Sequence, residues 1–272
     1  MKNALALGTF DGVHKGHREV LSLPDDCKKI AVTFSKPPKN SQLITTNEDK
    51  CRILKEIGID EIVCLDFAEV KDISAVDFLD MLCKKYNPTL FSCGFNNRFG
   101  KGAKGDTALL SQYCKANGIQ LKCAEPVTYN GNTVSSTLIR EMISNGNLKA
   151  ANNLLYEPFS FVSEVIKGDQ RGRTIGFPTI NQRYPENLVK LKFGVYKTKI
   201  IIDGEEFFGI TDIGVRPTFK SDYIISETFI KDFSGDLYGK NLRVIPLEYL
   251  REEKKFSSLD ELKKQIVCDL RR

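Results

Sequence analysis

Apolar and polar positions follow two different rhythms along this chain, and the change falls just past its middle. In the first half, short apolar runs alternate with amphipathic stretches of about ten residues. Ala4–Leu7, Lys29–Phe34, Glu61–Leu65, Leu90–Cys93 and Gln120–Cys123 are predicted strands. Asn47–Ile57 is a predicted helix with Asn47 as N-cap and Gly58 as its stop. Ser74–Lys85 is capped by Ser74 and carries Phe78, Leu79 and Leu82 on one face. Thr107–Asn117 is a third helix, ended by Gly118. Strands separated by helices predict a parallel sheet wound on both faces, with ligands at the carboxyl ends of its strands. Two glycine-rich segments, Gly8–Gly16 and Gly94–Gly105, each follow a strand and therefore fall at that edge.

Two short helices come next, Ser136–Ile143 and Leu148–Leu155, broken by Asn145-Gly146-Asn147. Then the rhythm becomes that of strands alone: Ser160–Val165, Val195–Ile202, Glu206–Ile213, Ile224–Ile230 and Leu242–Leu247. Asp203-Gly204 signals a hairpin. This spacing predicts a small antiparallel β-barrel, closed by an amphipathic helix at Leu259–Leu270. The expected organisation is two domains, 1–156 and 157–272, with the boundary near Tyr156–Pro158.

Composition narrows the function classes. The net charge of +5 comes without a basic run, which argues against a nucleic-acid partner and suits a small anionic substrate. The eight cysteines form no CxxC pair, so they read as reduced core thiols of a cytoplasmic protein. No stretch approaches the ~20 apolar residues of a membrane span. The start of the chain predicts no secretory leader, since a short apolar run leads straight into a glycine loop.

The strongest chemical signal is Gly8-Thr9-Phe10-Asp11-Gly12-Val13-His14-Lys15-Gly16-His17, between a strand and a helix start. Glycines let backbone approach a ligand closely, and a helix N-terminus favours phosphate. His14 and His17, the only two histidines, would share a helix face and could donate hydrogen bonds to phosphate oxygens. A zinc site, or a plain histidine-bearing turn, remains open on these residues alone. The segment is similar to the HxGH signature of the nucleotidylyltransferase superfamily, and most like its FMN adenylyltransferase branch. Ser135-Ser136-Thr137-Leu138-Ile139-Arg140 resembles the SSTxIR motif that accompanies it, and Cys93–Gly102 resembles that branch's flavin and nucleotide loop. The resemblance implies a nucleotide site at Gly8, Phe10, Asp11, Gly16, Ser136, Thr137 and Arg140. It also implies catalytic His14 and His17, and flavin contacts at Asn96 and Arg98.

In the second half, Gly168–Asn181 resembles the riboflavin kinase loop ending in PTxN. Gly214–Phe219, Glu227–Ile230, Phe233–Gly239 and Arg251–Phe256 resemble further segments of that family in the same order. The resemblance implies nucleotide contacts at Gly172, Thr174, Gly176, Pro178, Thr179 and Asn181, a flavin contact at Arg216, and Glu227 as catalytic base. Thr179 and Asn181 offer hard oxygens of the kind magnesium accepts beside ATP phosphates. An outward-facing strand glutamate is the plain alternative for Glu227. Together the halves resemble bifunctional riboflavin kinase/FMN adenylyltransferases. The expected ligands are riboflavin, FMN, FAD, ATP and pyrophosphate.

Two departures from that family fall in the first half. Only thirteen residues separate His17 from Ala31, leaving room for a short helix, and Ser35-Lys36-Pro37-Pro38 stands where a histidine flanked by prolines is expected. They leave open a kinase with an impaired adenylyltransferase. A flavin-binding regulator without turnover is the rival from another class. A nucleotidyltransferase acting on another phosphate ester would account for the first half only.

Overall fold

The computed structural model describes residues 2–35, 42–168, 176–216 and 223–271, without the side chain of Arg216. Gly172, Thr174 and residues 36–38 therefore lie outside the described residues, and Arg216 is known only as the last residue of a strand.

Ala4 and Ala6 of strand β1 (Lys2–Leu7) belong to one buried cluster, and Leu5 and Leu7 to another. A strand apolar on both faces must be covered on both, as in a doubly wound sheet. On the alanine side lie α1 (Lys15–Leu21) and α2 (Asn47–Glu56), which bury Val20, Leu21, Ile53 and Leu54. On the leucine side, α4 (Ala75–Tyr86) and α5 (Thr107–Ala116) bury Phe78, Leu79, Leu82 and Leu110. The other strands are β2 (Cys27–Phe34), β3 (Glu61–Leu65), β4 (Pro88–Gly94) and β5 (Gln120–Ala124). Strand order is β3-β2-β1-β4-β5, all pairs parallel. The order reverses between β1 and β4, so a crevice opens at their carboxyl ends. The two glycine-rich segments begin there.

Several boundaries differ from expectation for local reasons. The N-cap of α2 is Thr46, whose hydroxyl accepts from the Asp49 N–H, and not Asn47. Asp106 caps α5 in the same way. A one-turn helix α3 (Phe67–Val70), capped by Asp66, was not expected because four residues carry no period. Strands β6 (Thr128–Tyr129) and β7 (Asn132–Thr133) form a small hairpin around Asn130-Gly131, both at positive φ.

Helices α6 (Ser136–Ser144) and α7 (Leu148–Leu154) follow. The barrel strands are β8 (Phe161–Ile166), β9 (Thr179–Arg183), β10 (Gly194–Ile202), β11 (Glu205–Arg216), β12 (Tyr223–Ile230) and β13 (Asn241–Arg251). They close in the order β10-β11-β12-β9-β8-β13. Asp203-Gly204 makes the predicted β10–β11 hairpin, with both residues at positive φ. β9 is the strand that sequence reading missed. It follows Pro178 directly and reads as a turn until β12 and β8 are found on either side of it. Helix α8 (Leu259–Leu270) is held by the Arg251 guanidinium, which donates from Nε and Nη2 to the buried Asp269 carboxylate at 2.9 Å.

The chain divides into compact units between Leu138 and Ile139. The second unit thus includes α7, which packs on β13 with Lys149 paired to Glu248 at 2.7 Å. None of the described helices is long and apolar enough to cross a membrane. All eight cysteines are free. Burial pushes the thiol of Cys93 up to about 12 and that of Cys114 up to about 11, so these two behave as core residues.

Candidate active sites

In the first unit, a cavity of about 280 Å³ opens at the ends of β1 and β4. Gly8, His14 and His17 line one side and Asn96, Asn97 and Arg98 another. The loop that brings the histidines there is unusual. Phe10 and Val13 adopt positive φ (50° and 37°), a conformation that non-glycine residues avoid. The Phe10 ring is fully buried under Gly8, where any Cβ would meet it at 2.7 Å. Gly8 is thus required by packing rather than by its own φ.

His14 is the N-cap of α1 and not a member of its first turn. Its Nδ1 accepts from the His17 N–H at 3.3 Å. An accepting Nδ1 puts the proton of the neutral ring on Nε2. The two imidazoles stack, with centroids 3.5 Å apart, and the Phe10 ring meets His17 edge-on. A Cβ on Gly16 would press on the His14 ring at 3.3 Å, which accounts for glycine between the histidines. The pair is therefore brought together as the spacing implied, with one nitrogen used in capping.

Asp11 and Ser136 also have local work. The buried Asp11 carboxylate accepts from the N–H groups of Ile44 and Thr45 at 2.9 and 3.2 Å. The Ser136 hydroxyl donates to the Asp11 carbonyl at 3.0 Å, and Ser135 Oγ accepts from the Leu138 N–H to cap α6. Thr137 lies in the first turn of α6, and Arg140 follows on that helix beyond the division between units. Arg98 is exposed and pairs loosely with Asp106 at 3.5 Å. A second cavity of about 280 Å³ lies beside Arg98, walled by Phe34, Phe67, Phe78 and Phe99. Sequence reading missed it, since those rings come from four separate segments.

In the second unit, register decides what faces what. Glu227 on β12 stands opposite Asn181 on β9 and opposite Asp212 on β11, so the three form one row across three strands. Ser226, Thr228 and Ile230 are buried in the alternate positions, where Thr228, Thr211 and Thr198 link their hydroxyls at 2.9 Å. Glu227 therefore points away from the barrel interior, toward the face that carries Asn181 and Asp212. Asn181 is buried, and its Oδ1 has no hydrogen-bond partner among the described residues. Gly168 leaves it room, because a Cβ there would lie within 2.4 Å of the carboxamide. Asp212 was not expected in this row. Its Oδ1 is likewise buried without a hydrogen-bond partner among the described residues, and burial, then Glu253 and Glu227, push its carboxyl up to about 6 against the pull of Arg251. Thr179 and Pro178 line an adjoining cavity of about 330 Å³ together with Phe233–Tyr238. Gly176, at φ 83°, precedes this edge.

The Asn181 carboxamide oxygen and, two residues back on the same face of β9, the Thr179 hydroxyl are a donor set that fits a hard cation such as magnesium. The arrangement offers one unit with imidazole donors at a sheet switch point and another with a carboxylate beside hard oxygens. Comparison with known proteins agrees with this division. Residues 1–138 match the FAD synthetase family and residues 155–272 match the riboflavin kinase family. The chain is 34% identical to the bifunctional riboflavin kinase/FMN adenylyltransferase of Escherichia coli (strain K12), over 97% of this chain and 90% of that protein. It is 32% identical to the Bacillus subtilis (strain 168) enzyme of the same name, over 98% of this chain and 90% of that one. A solved structure from Streptococcus pneumoniae, described as a macrolide-efflux protein, has the same fold with a TM-score of 0.92. That protein is 30% identical, and the match covers 99% of this chain and 93% of the other. With whole-length relatives on the sequence side and a sheet and a barrel that each match their own family, the chain belongs to the bifunctional riboflavin kinase/FMN adenylyltransferase family.

Proposed function

We propose that the two activities of this family occupy separate sites, with adenylylation at the histidine cavity of the sheet and phosphorylation at the Glu227 row of the barrel. The observation that carries this division is that the stacked histidines and the Asn181–Glu227–Asp212 row lie in different compact units. The catalytic modules are residues 1–156 and 157–272, although α7, at the end of the first, packs on β13 of the barrel.

In the kinase step, the 5′-hydroxyl of riboflavin attacks the γ-phosphorus of ATP and ADP leaves. Glu227 accepts the hydroxyl proton, and its outward orientation toward Asn181 puts it where substrate can reach. Pro178, Thr179 and Gly176 border the nucleotide; the resemblance to the kinase family extends this role to Gly172 and Thr174 and assigns a flavin contact to Arg216. Thr179 Oγ and Asn181 Oδ1 would hold magnesium, which when bound neutralises phosphate charge.

In the adenylylation step, an FMN phosphate oxygen attacks the α-phosphorus of ATP and pyrophosphate leaves. This reaction needs no protein nucleophile, so positioning and charge stabilisation suffice. His14 and His17 donate to the phosphates. Gly8, Gly16 and Thr137 let the nucleotide approach, with Arg140 as an added cation. Phe10, Asp11 and Ser136 shape the loop. The aromatic cavity beside Arg98 suits the flat isoalloxazine ring, and Asn96 reaches the same ligand. Free thiols, some of them core residues, suit a reducing cytoplasm, and the ligands are small molecules rather than nucleic acid or membrane.

The test is Glu227→Gln, with riboflavin, FMN and FAD separated by chromatography. FMN formation from riboflavin is expected to fall by about 10²–10⁴-fold, while FAD formation from supplied FMN is retained. Unchanged kinase turnover in a folded variant would remove Glu227 from the mechanism.

A further inference from the structure

Lys50 lies in the first half of α2, where the positive end of the helix dipole disfavours a cation. It is nonetheless 95% buried, with only 5% of its surface exposed. Burial holds its ammonium below the ordinary lysine range. A methionine or leucine would fill the same space without that penalty, so the bonds of the ammonium are informative. They go to two neutral acceptors at the end of β2, the Phe34 carbonyl at 2.6 Å and Thr33 Oγ1 at 3.3 Å. Accepting from Lys50 orients the Thr33 hydroxyl, whose own proton goes to the Thr9 carbonyl at 2.8 Å. Thr33 is fully buried.

The same segment grips the loop a second time. Asp11 accepts from the N–H groups of Ile44 and Thr45, and the next residue, Thr46, caps the helix that carries Lys50. Thr9 and Asp11 flank Phe10, and Gly12 and Val13 follow at φ 82° and 37°. A chain held at positive φ on non-glycine residues relaxes unless its surroundings over-determine it. His14 follows at once, and its ring sets the position of His17.

We propose that Lys50 is a positioning residue for adenylylation: through Thr33 it fixes the Thr9 carbonyl and, with the grip of Asp11, holds the loop in the form that presents His14 and His17. The proposal rests on the reading of these histidines as the adenylylation centre. It makes the Thr33 hydroxyl an obligatory link, which simple filling of core space by Lys50 would not require.

The experiment uses the full chain and measures FAD formation from FMN and ATP, FMN formation from riboflavin, and a melting curve. The variants are Lys50→Met, Thr33→Val, Thr33→Ser and the double variant Lys50→Met/Thr33→Val. Each of Lys50→Met and Thr33→Val is expected to lower kcat for FAD formation by about 10- to 100-fold, as slight misplacement of catalytic groups does. KM for ATP and FMN should stay within about twofold. Thr33→Ser keeps the hydroxyl and should retain most of the rate. The double variant should be no slower than the slower single one, since both break one chain of bonds. Riboflavin phosphorylation should be unchanged throughout. If Lys50→Met fails to fold, the contrast between Thr33→Val and Thr33→Ser decides the matter. A folded Thr33→Val at full rate, or two losses that multiply in the double variant, overturns the proposal. His17→Ala separates the two levels: FAD formation surviving in that variant refutes the histidine reading itself. FAD formation lost in His17→Ala but intact in Thr33→Val refutes the role of Lys50 alone.

Discussion

Replacing Asp212 by asparagine should stabilise the barrel at neutral pH and leave it no more stable in acid. The folded barrel pushes the Asp212 carboxyl up to about 6 from its ordinary 3.8, through burial first and then the charges of Glu253 and Glu227. The folded state thus holds this proton more tightly than the unfolded chain does. Stability must fall as pH rises between those two values, and the penalty is fully present above the higher one. At 1.36 kcal/mol per pH unit, the penalty amounts to about 3 kcal/mol. Asparagine removes the charge but leaves a buried polar group short of partners, which returns about 1–2 kcal/mol. The net expectation is a gain of roughly 1–2 kcal/mol at pH 7.5, or several degrees in the melting temperature of a unit of this size. At pH 4, where Asp212 is largely protonated in the folded state, the gain should vanish or turn into a small loss. Scanning calorimetry of parent and Asp212→Asn at pH 4, 6 and 7.5 measures the difference directly. A difference that does not change with pH would show that Asp212 is not held protonated by its neighbours, and the reasoning from its burial would fail.

His17→Ala should lower FAD formation by about 10²–10³-fold, the usual loss on removing one preorganised donor, and leave riboflavin phosphorylation at the parent rate; chromatographic separation of the flavins checks both. A fragment of residues 157–272 should keep kinase activity but be less stable than residues 139–272. The longer fragment retains α7, whose Leu148 and Leu154 are each 1% exposed, and burial of two leucines is worth roughly 3–6 kcal/mol as an upper bound. Equal urea midpoints for the two fragments would show that α7 adds nothing to the barrel. Asp269→Ala should destabilise the second unit by about 3–5 kcal/mol, because it strands the largely buried Arg251 guanidinium. Increased hydrogen exchange along α8 would accompany the loss.

Much of the fold was legible because it is local. Ser74 before an amphipathic run, Gly58 and Gly118 after two others, and Asp203-Gly204 between strands each act on their own neighbours, and the structure places a boundary or turn at all of them. The His14–His17 spacing and the glycine between them are local too, so the stacked pair could be anticipated, though not that His14 serves as the cap. The missed strand β9 shows the limit of such reading, since what makes Thr179–Arg183 a strand is pairing with residues about 45 positions later in β12. The cross-strand row of Asn181, Glu227 and Asp212, the four phenylalanines around one cavity, and the Lys50–Thr33–Thr9 chain arise in the same way. Periodicity and motif spacing record which residues a segment offers. Only the tertiary structure decides which of them meet, because register and sheet order bring together side chains whose separation along the chain carries no signal.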